Sequence, residues 1–285
     1  MVLIDFILNL AGLLLWFNWR ASGYDPLARS RPATLAGTVR RIETPQASRW
    51  LSLAALTGLL IGRAVLYRLA GPSVDWTPHL DLGAITLFFR TDALEWVLLF
   101  SVFSFLRVLA VVYFWLLALS IVNRKVSKPD LILRFIRFQL GRVRNWPLGV
   151  QLGLPLLLAA LVWPGLHALL TWANITGALP SAGSLVLQGV VLGLGIFLSL
   201  KYLIPIMLLA DVVTRYVYFG TSPIWDFLNT TARNLLSPLG RLPLRAGKLE
   251  LTPLLGIALS VVLLHALPRL VLQELHRRNL TLWPH

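Results

Sequence analysis

Cysteine is absent from the 285 residues. That excludes disulfides, thiolate metal sites, thiol redox chemistry and haem attachment through sulfur. Charge is scarce as well: Asp, Glu, Lys and Arg together make up 13% of the chain, against about 25% in soluble domains. A polar surface around a water-soluble globule of this size cannot be built from so few charges. Catalytic signatures are missing too, with no HExxH, no GxSxG, no P-loop and no GxGxxG opening a helix after a strand. Gly189, Gly193 and Gly195 lie inside an apolar run, and Gly189-x-x-x-Gly193 has the spacing that lets two helices approach closely. No enzymatic activity and no cofactor are expected from such a chain.

What remains is apolar. Residues of the hydrophobic class make up 57% of the chain, concentrated in runs at about 2–18, 50–70, 95–122, 149–171, 184–213 and 252–272. A helix needs about 20 apolar residues to cross a core of about 30 Å. The third and fifth runs exceed that length and must tilt, extend beyond the bilayer or bend. The runs are continuous, without the period-two alternation of a membrane barrel. Lipid is therefore the expected solvent for most of this surface. Asp5 and the lack of a positive leading segment predict no cleavable signal peptide.

The net charge of +14 would suit nucleic acid, but its distribution points to a membrane surface, and no nucleic-acid partner is expected. Segment 19–50 holds six Lys and Arg, segment 123–148 seven and segment 214–251 five, whereas 71–94 has only Arg90 and 172–183 has none. This positive-inside bias predicts cytoplasmic long loops and both termini outside. Arg269, Arg277 and Arg278 in the C-terminal part run against that rule.

One motif is written three times. Arg107 to Lys201 and Pro129 to Pro223 are both 94 residues apart, while Pro155 to Pro253 and His167 to His265 are both 98 apart. Pro26 to Pro129 and Ser52 to Pro155 share a spacing of 103. The unit reads as helix, basic loop, helix, dividing the chain into a divergent first repeat at 1–72, a second at 73–175 and a third at 176–285. The expected fold is an all-α polytopic membrane protein of about six transmembrane helices in three such repeats.

The basic loops carry helix signals of their own. Ser127-Lys128-Pro129-Asp130 has capping-box spacing before Leu131 to Val143, and Asp25-Pro26 and Ser222-Pro223 are cap-plus-first-turn pairs. On a helix, Arg134, Arg137 and Arg144 share an arc opposite Ile132, Ile136 and Val143, with Arg142 off the pattern. Short interfacial helices along the inner membrane surface are predicted, with Arg134, Arg137 and Arg144 meeting anionic phospholipid. A solvated loop whose charges only set topology is the alternative.

The stretch Leu236-Ser-Pro-Leu-Gly-Arg-Leu-Pro243, followed by Gly247-Lys-Leu-Glu250-Leu-Thr252-Pro253 and an apolar helix, resembles the YggT family signature. That signature is a proline- and arginine-rich stretch followed by Gly-Gly-x-Asp-x-Ser-Pro entering a membrane helix. Pro243, Arg245, Gly247, Glu250, Thr252 and Pro253 carry the resemblance, and Lys248 stands where the second glycine falls. The clear match covers roughly 215–272, with a fainter echo at 100–170. The resemblance implies a small integral protein of the bacterial cytoplasmic membrane. Relatives are linked to ion homeostasis under osmotic stress, to division-related processes and, in chloroplasts, to assembly of a haem-containing complex. It implies a non-enzymatic scaffold, assembly or stabilising factor with a membrane-protein partner or oligomer. The alternative is an ion or small-solute pathway, which the apolar inner halves of the spans and the shared orientation of the repeats disfavour.

One candidate site falls at membrane depth. His167 and His265 are each twelve residues past their proline, and Arg63 is eleven past Ser52. Arg107, its counterpart Lys201 and Asp5 fall near the same height, very roughly 15–25 Å from the inner face. Asp5, Arg63, Arg107, His167, Lys201 and His265 either form an outer-leaflet polar layer able to hold an anion, a headgroup or a partner's carboxylate, or snorkel and pair locally. No third ligand accompanies the histidines, so no metal is expected. Asp211 and Arg215, four apart, are expected to form a helix-surface ion pair. Trp16, Trp19, Trp96, Trp146, Trp163 and Trp283 are expected at the interfaces or in packing.

Overall fold

The computed structural model describes residues 2–21, 46–71, 76–82, 86–91, 93–126, 129–172, 181–217, 220, 222–237, 245–246, 249–250 and 252–277. These are almost entirely helical. In order they form α1 (Val2–Ala21), α2 (Gln46–Ala70), β1 (His79–Asp81), β2 (Thr86–Phe88), α3 (Leu94–Val122), α4 (Leu131–Leu140), α5 (Leu148–Trp172), α6 (Ala182–Leu198), α7 (Leu200–Tyr216), α8 (Pro223–Leu236), β3 (Arg245–Ala246), β4 (Leu249–Glu250) and α9 (Thr252–Arg277). Among the described residues five stretches are long and apolar enough to cross a membrane: Leu3–Ala21, Arg49–Ala70, Leu94–Val122, Leu148–Trp172 and Ala182–Arg215. Each leaves most of its length uncovered by protein, with Leu51, Leu69, Leu161 and Leu209 among the exposed apolar side chains. Such surface requires an apolar solvent, as in an integral membrane protein. The described apolar part of α9, Thr252–Leu263, is shorter than a span.

The fifth run is interrupted at a single residue. α6 ends at Leu198 and α7 begins at Leu200. Around Ser199 the bonds tighten to i, i−3: the Ser199 amide and hydroxyl both donate to Ile196 O, at 3.1 and 2.6 Å, and Tyr202 N donates to Ser199 O at 3.1 Å. Pro205 inside α7 supplies no amide donor of its own. A long run thus breaks where a serine competes for the backbone just ahead of a proline.

The chain divides into two compact units, Met1–Asp81 with Thr86–Leu109, and Leu82–Ile85 with Ala110–His285. The boundary falls inside α3. In the first unit α1 and α2 run antiparallel, since Asn18 reaches Ser52 while Asp5 reaches Arg63 and Tyr67. The first half of α3 packs on both, through Ser101 to Leu60 O and Phe105 against Gly12. A two-residue-period hairpin, β1 with β2, buries Leu80 and Leu87 in a segment the sequence reading treats as loop.

In the second unit, α5 and α6 pack with backbones in near contact. A Cβ on Gly189 would lie 2.6 Å from Ala160 Cα, and one on Gly193 2.9 Å from Leu156 Cα. The small-residue face is therefore spent inside the chain, not on a partner. Leu117, Leu133, Ile136, Leu140, Leu203 and Phe227 form a core that joins α3, α4, α7 and α8. Asn123 is the polar hub of this core. Its side chain donates to Thr231 Oγ1 at 2.9 Å and to Leu119 O at 3.0 Å, and accepts from Asn234 at 2.9 Å.

The loop-helix expectations fare unevenly. Ser222 caps α8 with Pro223 at its start, as the dipeptide predicts. The second loop helix is shorter than expected. It starts after Asp130, whose side chain makes no cap bond, and ends at Leu140 because Gly141 takes φ +55°, a conformation that suits glycine. Residues Gly141–Asn145 continue as a 3-10 turn. Arg144 is thereby removed from the α-helical arc, and the buried face is Leu133, Ile136, Gln139 and Leu140, a face turned from the predicted one. Asp25-Pro26 and Ser127 lie outside the described residues.

Candidate functional site

In the first unit, Asp5 and Arg63 come together while Arg107 does not join them. The Arg63 guanidinium donates to Asp5 Oδ1 at 2.6 Å and to Asn9 Oδ1 at 2.8 Å. Tyr67 donates to the same carboxylate oxygen at 3.0 Å, and Asn9 and Ser104 reach Asp5 Oδ2 at 3.2 and 3.4 Å. The Arg63 side chain is 1% exposed and that of Asp5 26%. The Tyr67 and Phe100 rings stand 5.5 and 5.4 Å from the guanidinium carbon, an arrangement that favours a desolvated cation. Arg63 Nε is buried with no acceptor among the described residues. Sequence reasoning missed Asn9, Tyr67 and Ser104. Asn9 and Tyr67 are one helical turn on from Asp5 and Arg63, and that i, i+4 spacing is the signal that places them on the same faces. Arg107 is exposed on α3.

The second unit disposes of its membrane-depth groups separately. His167 is buried, with its ring 5.8 Å from that of Trp163, and the Thr171 hydroxyl lies 2.9 Å from His167 O and 3.3 Å from its Nδ1. Trp163 is buried rather than interfacial, and its indole donates to Gln188 Oε1 at 2.9 Å. Lys201 Nζ stands 5.0 Å from the Tyr202 ring centre. The Asp211–Arg215 ion pair is present at 2.8 Å, but Asp211 is buried at 2% exposure, so the pair is not the helix-surface contact expected. The side chain of His265 lies outside the described residues. Among the described residues no group of three His, Cys, Asp or Glu is placed to hold a metal ion.

The proline- and arginine-rich loop before α9 is described in part. Arg245 pairs with Glu250 and Ala246 with Leu249 across β3 and β4, and Thr252 and Pro253 open α9, with Pro253 buried. Pro243 and Gly247 lie outside the described residues.

At the end of α3, the three arginines singled out as lipid contacts separate. Arg134 is exposed and its Nε donates to Pro129 O at 3.0 Å. Arg137 is half-buried, and one of its nitrogens donates to Asn123 O at 3.3 Å and Val126 O at 3.1 Å, so it closes the carbonyl end of α3. Arg137 and Arg144 line a cavity of about 290 Å³ together with Ser120, Ile121, Arg124, Asn145 and Gln151. Gln151 at the start of α5 is buried and donates to Val143 O at 2.9 Å and Arg144 O at 2.7 Å, which pins the 3-10 turn that carries Arg144. Burial, and then the charge of Arg144, hold the Arg137 pKa below the usual arginine range. Arg124, Ser120 and Gln151 were not legible as site residues. Arg124 reads only as one more charge at a span end.

Comparison with protein-family models, with curated proteins and with solved structures gives no match.

Proposed function

We propose that the chain is a non-enzymatic membrane scaffold, assembly or stabilising factor. In this reading six spans in three repeats place the basic loops in the cytoplasm of a bacterial cell and both termini outside. Helix faces pack a membrane partner or further copies, and the loops contact anionic phospholipid. One observation carries it: most buried polar side chains within the described spans are engaged inside their own unit, while broad apolar faces stay uncovered. Asp5 with Arg63 and Asn9, and Trp163 with Gln188, exemplify the pairing. Groups satisfied in this way rigidify helices; groups lining a pathway would instead face a wet lumen. The YggT resemblance agrees with a structural role. Because Gly189 and Gly193 are used internally, a partner would meet the larger aliphatic faces. The test is purification from native membranes in mild detergent, followed by native mass measurement and reconstitution of the complex from purified components. A fixed subunit ratio that reassembles is the expected result. Recovery of the lone chain with bound lipid at native abundance would overturn the reading.

An ion or small-solute pathway is the second reading, and the partly exposed Asp5 carboxylate beside a buried cation is the feature that favours it. It requires flux in proteoliposomes that Asp5→Asn abolishes.

A further inference from the structure

We propose that the cavity lined by Arg124, Arg137 and Arg144 is a discrete binding site for a phosphate-bearing anion. It has the charge for this ligand, because its lining holds three arginines and no carboxylate. Neutral donors are in reach as well, since Ser120 and Asn145 share the lining. At about 290 Å³ the cavity falls just below the ~300–1,000 Å³ range of drug-sized ligand sites, a size suited to a headgroup and not to a lipid tail.

The site is also built, not merely a run of basic loop. Four separate elements supply it: the end of α3, α4, the 3-10 turn and the start of α5. Two of the guanidinium-bearing segments are fixed by hydrogen bonds to backbone. Arg137 is anchored on Asn123 O and Val126 O, and the backbone at Arg144 is anchored by Gln151. Arg137 is half-buried and Arg124 and Arg144 are exposed, and like charges brought around one cavity repel unless an anion lies between them. Arginine forks match phosphate oxygens in pairs. Burial lowers the proton affinity of Arg137 most, and the neighbouring charge of Arg144 adds to it.

This inference rests in part on the basic loops facing anionic headgroups, but it differs in a testable way. A diffuse basic surface treats all its arginines alike, whereas a built cavity distinguishes its lining from its neighbours. The ligand chemistry has two sources, a phospholipid headgroup or free phosphate.

The purified full-length chain in phosphatidylcholine nanodiscs is titrated with short-chain phosphatidic acid and, in parallel, with inorganic phosphate. Arg124→Gln and Arg144→Gln are each expected to weaken binding about tenfold. The exposed Arg134→Gln is expected to leave it within about twofold. Arg137 is left unaltered because it also closes α3. Thermal unfolding without ligand verifies that the two variants fold as the parent does.

Binding of phosphatidic acid alone with this variant pattern identifies a lipid site. Binding of inorganic phosphate with the same pattern identifies a soluble ligand, and would hold even if the chain showed no preference for anionic membranes. Equal losses for Arg134→Gln and Arg144→Gln overturn the site while leaving the basic-loop reading intact. The absence of any saturable binding overturns the site as well.

Discussion

Arg63 holds a full positive charge with its side chain 1% exposed, a placement that costs several kcal/mol when the charge is unpaired. Asp5 offsets that cost directly, while Asn9, Tyr67 and Ser104 occupy the remaining lone pairs of the carboxylate and its surroundings. Removing Asp5 leaves the Arg63 cation buried and uncompensated. Asp5→Leu is therefore expected to destabilise the folded chain by about 3 kcal/mol, and the double variant Asp5→Leu/Arg63→Met by less than Asp5→Leu alone. Thermal unfolding in detergent of the four proteins closes the cycle. A coupling energy near zero would reduce the pair to a contact of geometry only. At this scale the sequence was informative in part. Asp5 and Arg63 stand out as charges inside apolar runs, and depth arithmetic puts them at similar height. Arg107 satisfies the same arithmetic yet is exposed, because height along a helix says nothing about azimuth.

Among elements, the α5–α6 pair depends on two missing side chains. A Cβ at Gly189 would sit 2.6 Å from Ala160 Cα and 2.7 Å from Ala159 O, both backbone atoms that cannot swing aside. Alanine ordinarily improves a helix by up to about 1 kcal/mol over glycine, so the sign of the effect is diagnostic. Gly189→Ala is expected to destabilise by about 1–3 kcal/mol. Gly183→Ala, in the same helix with open space around its Cβ position, is expected to be neutral or mildly stabilising. Comparing the two melting temperatures in one detergent decides the matter, and equal shifts would mean that the helices separate at no cost. The Gly-x-x-x-Gly spacing was readable in advance as a packing face, but the identity of the helix that fills it was not. In α4, by contrast, the expected end was wrong by three residues. Gly141 ends the helix by adopting a positive φ, and apolar periodicity through Val143 conceals that stop.

For the whole molecule, the distribution of basic residues predicts which loops face the cytoplasm. The lack of cysteine makes this directly measurable, since any cysteine introduced is unique. His79→Cys and Lys125→Cys each replace an exposed residue. In intact cells an impermeant maleimide is expected to label His79→Cys at once, and Lys125→Cys only after permeabilisation. The reverse pattern would invert the topology and place the arginine-lined cavity on the outer side.

The positions of the apolar helices were determined by the sequence alone, to within a few residues at most ends. Hydropathy is a sum over about 20 neighbouring residues, so it needs no knowledge of what those residues touch. The excess length of the fifth run was legible for the same reason, as a choice among tilt, extension and a bend, whereas the interruption at Ser199 was not. Only the tertiary structure decided which polar groups meet. Arg63 finds Asp5 across 58 residues of sequence and Asn123 finds Thr231 across 108. Those pairings depend on how helices are rotated against one another, which is set by packing among many side chains at once and leaves no local trace in the chain.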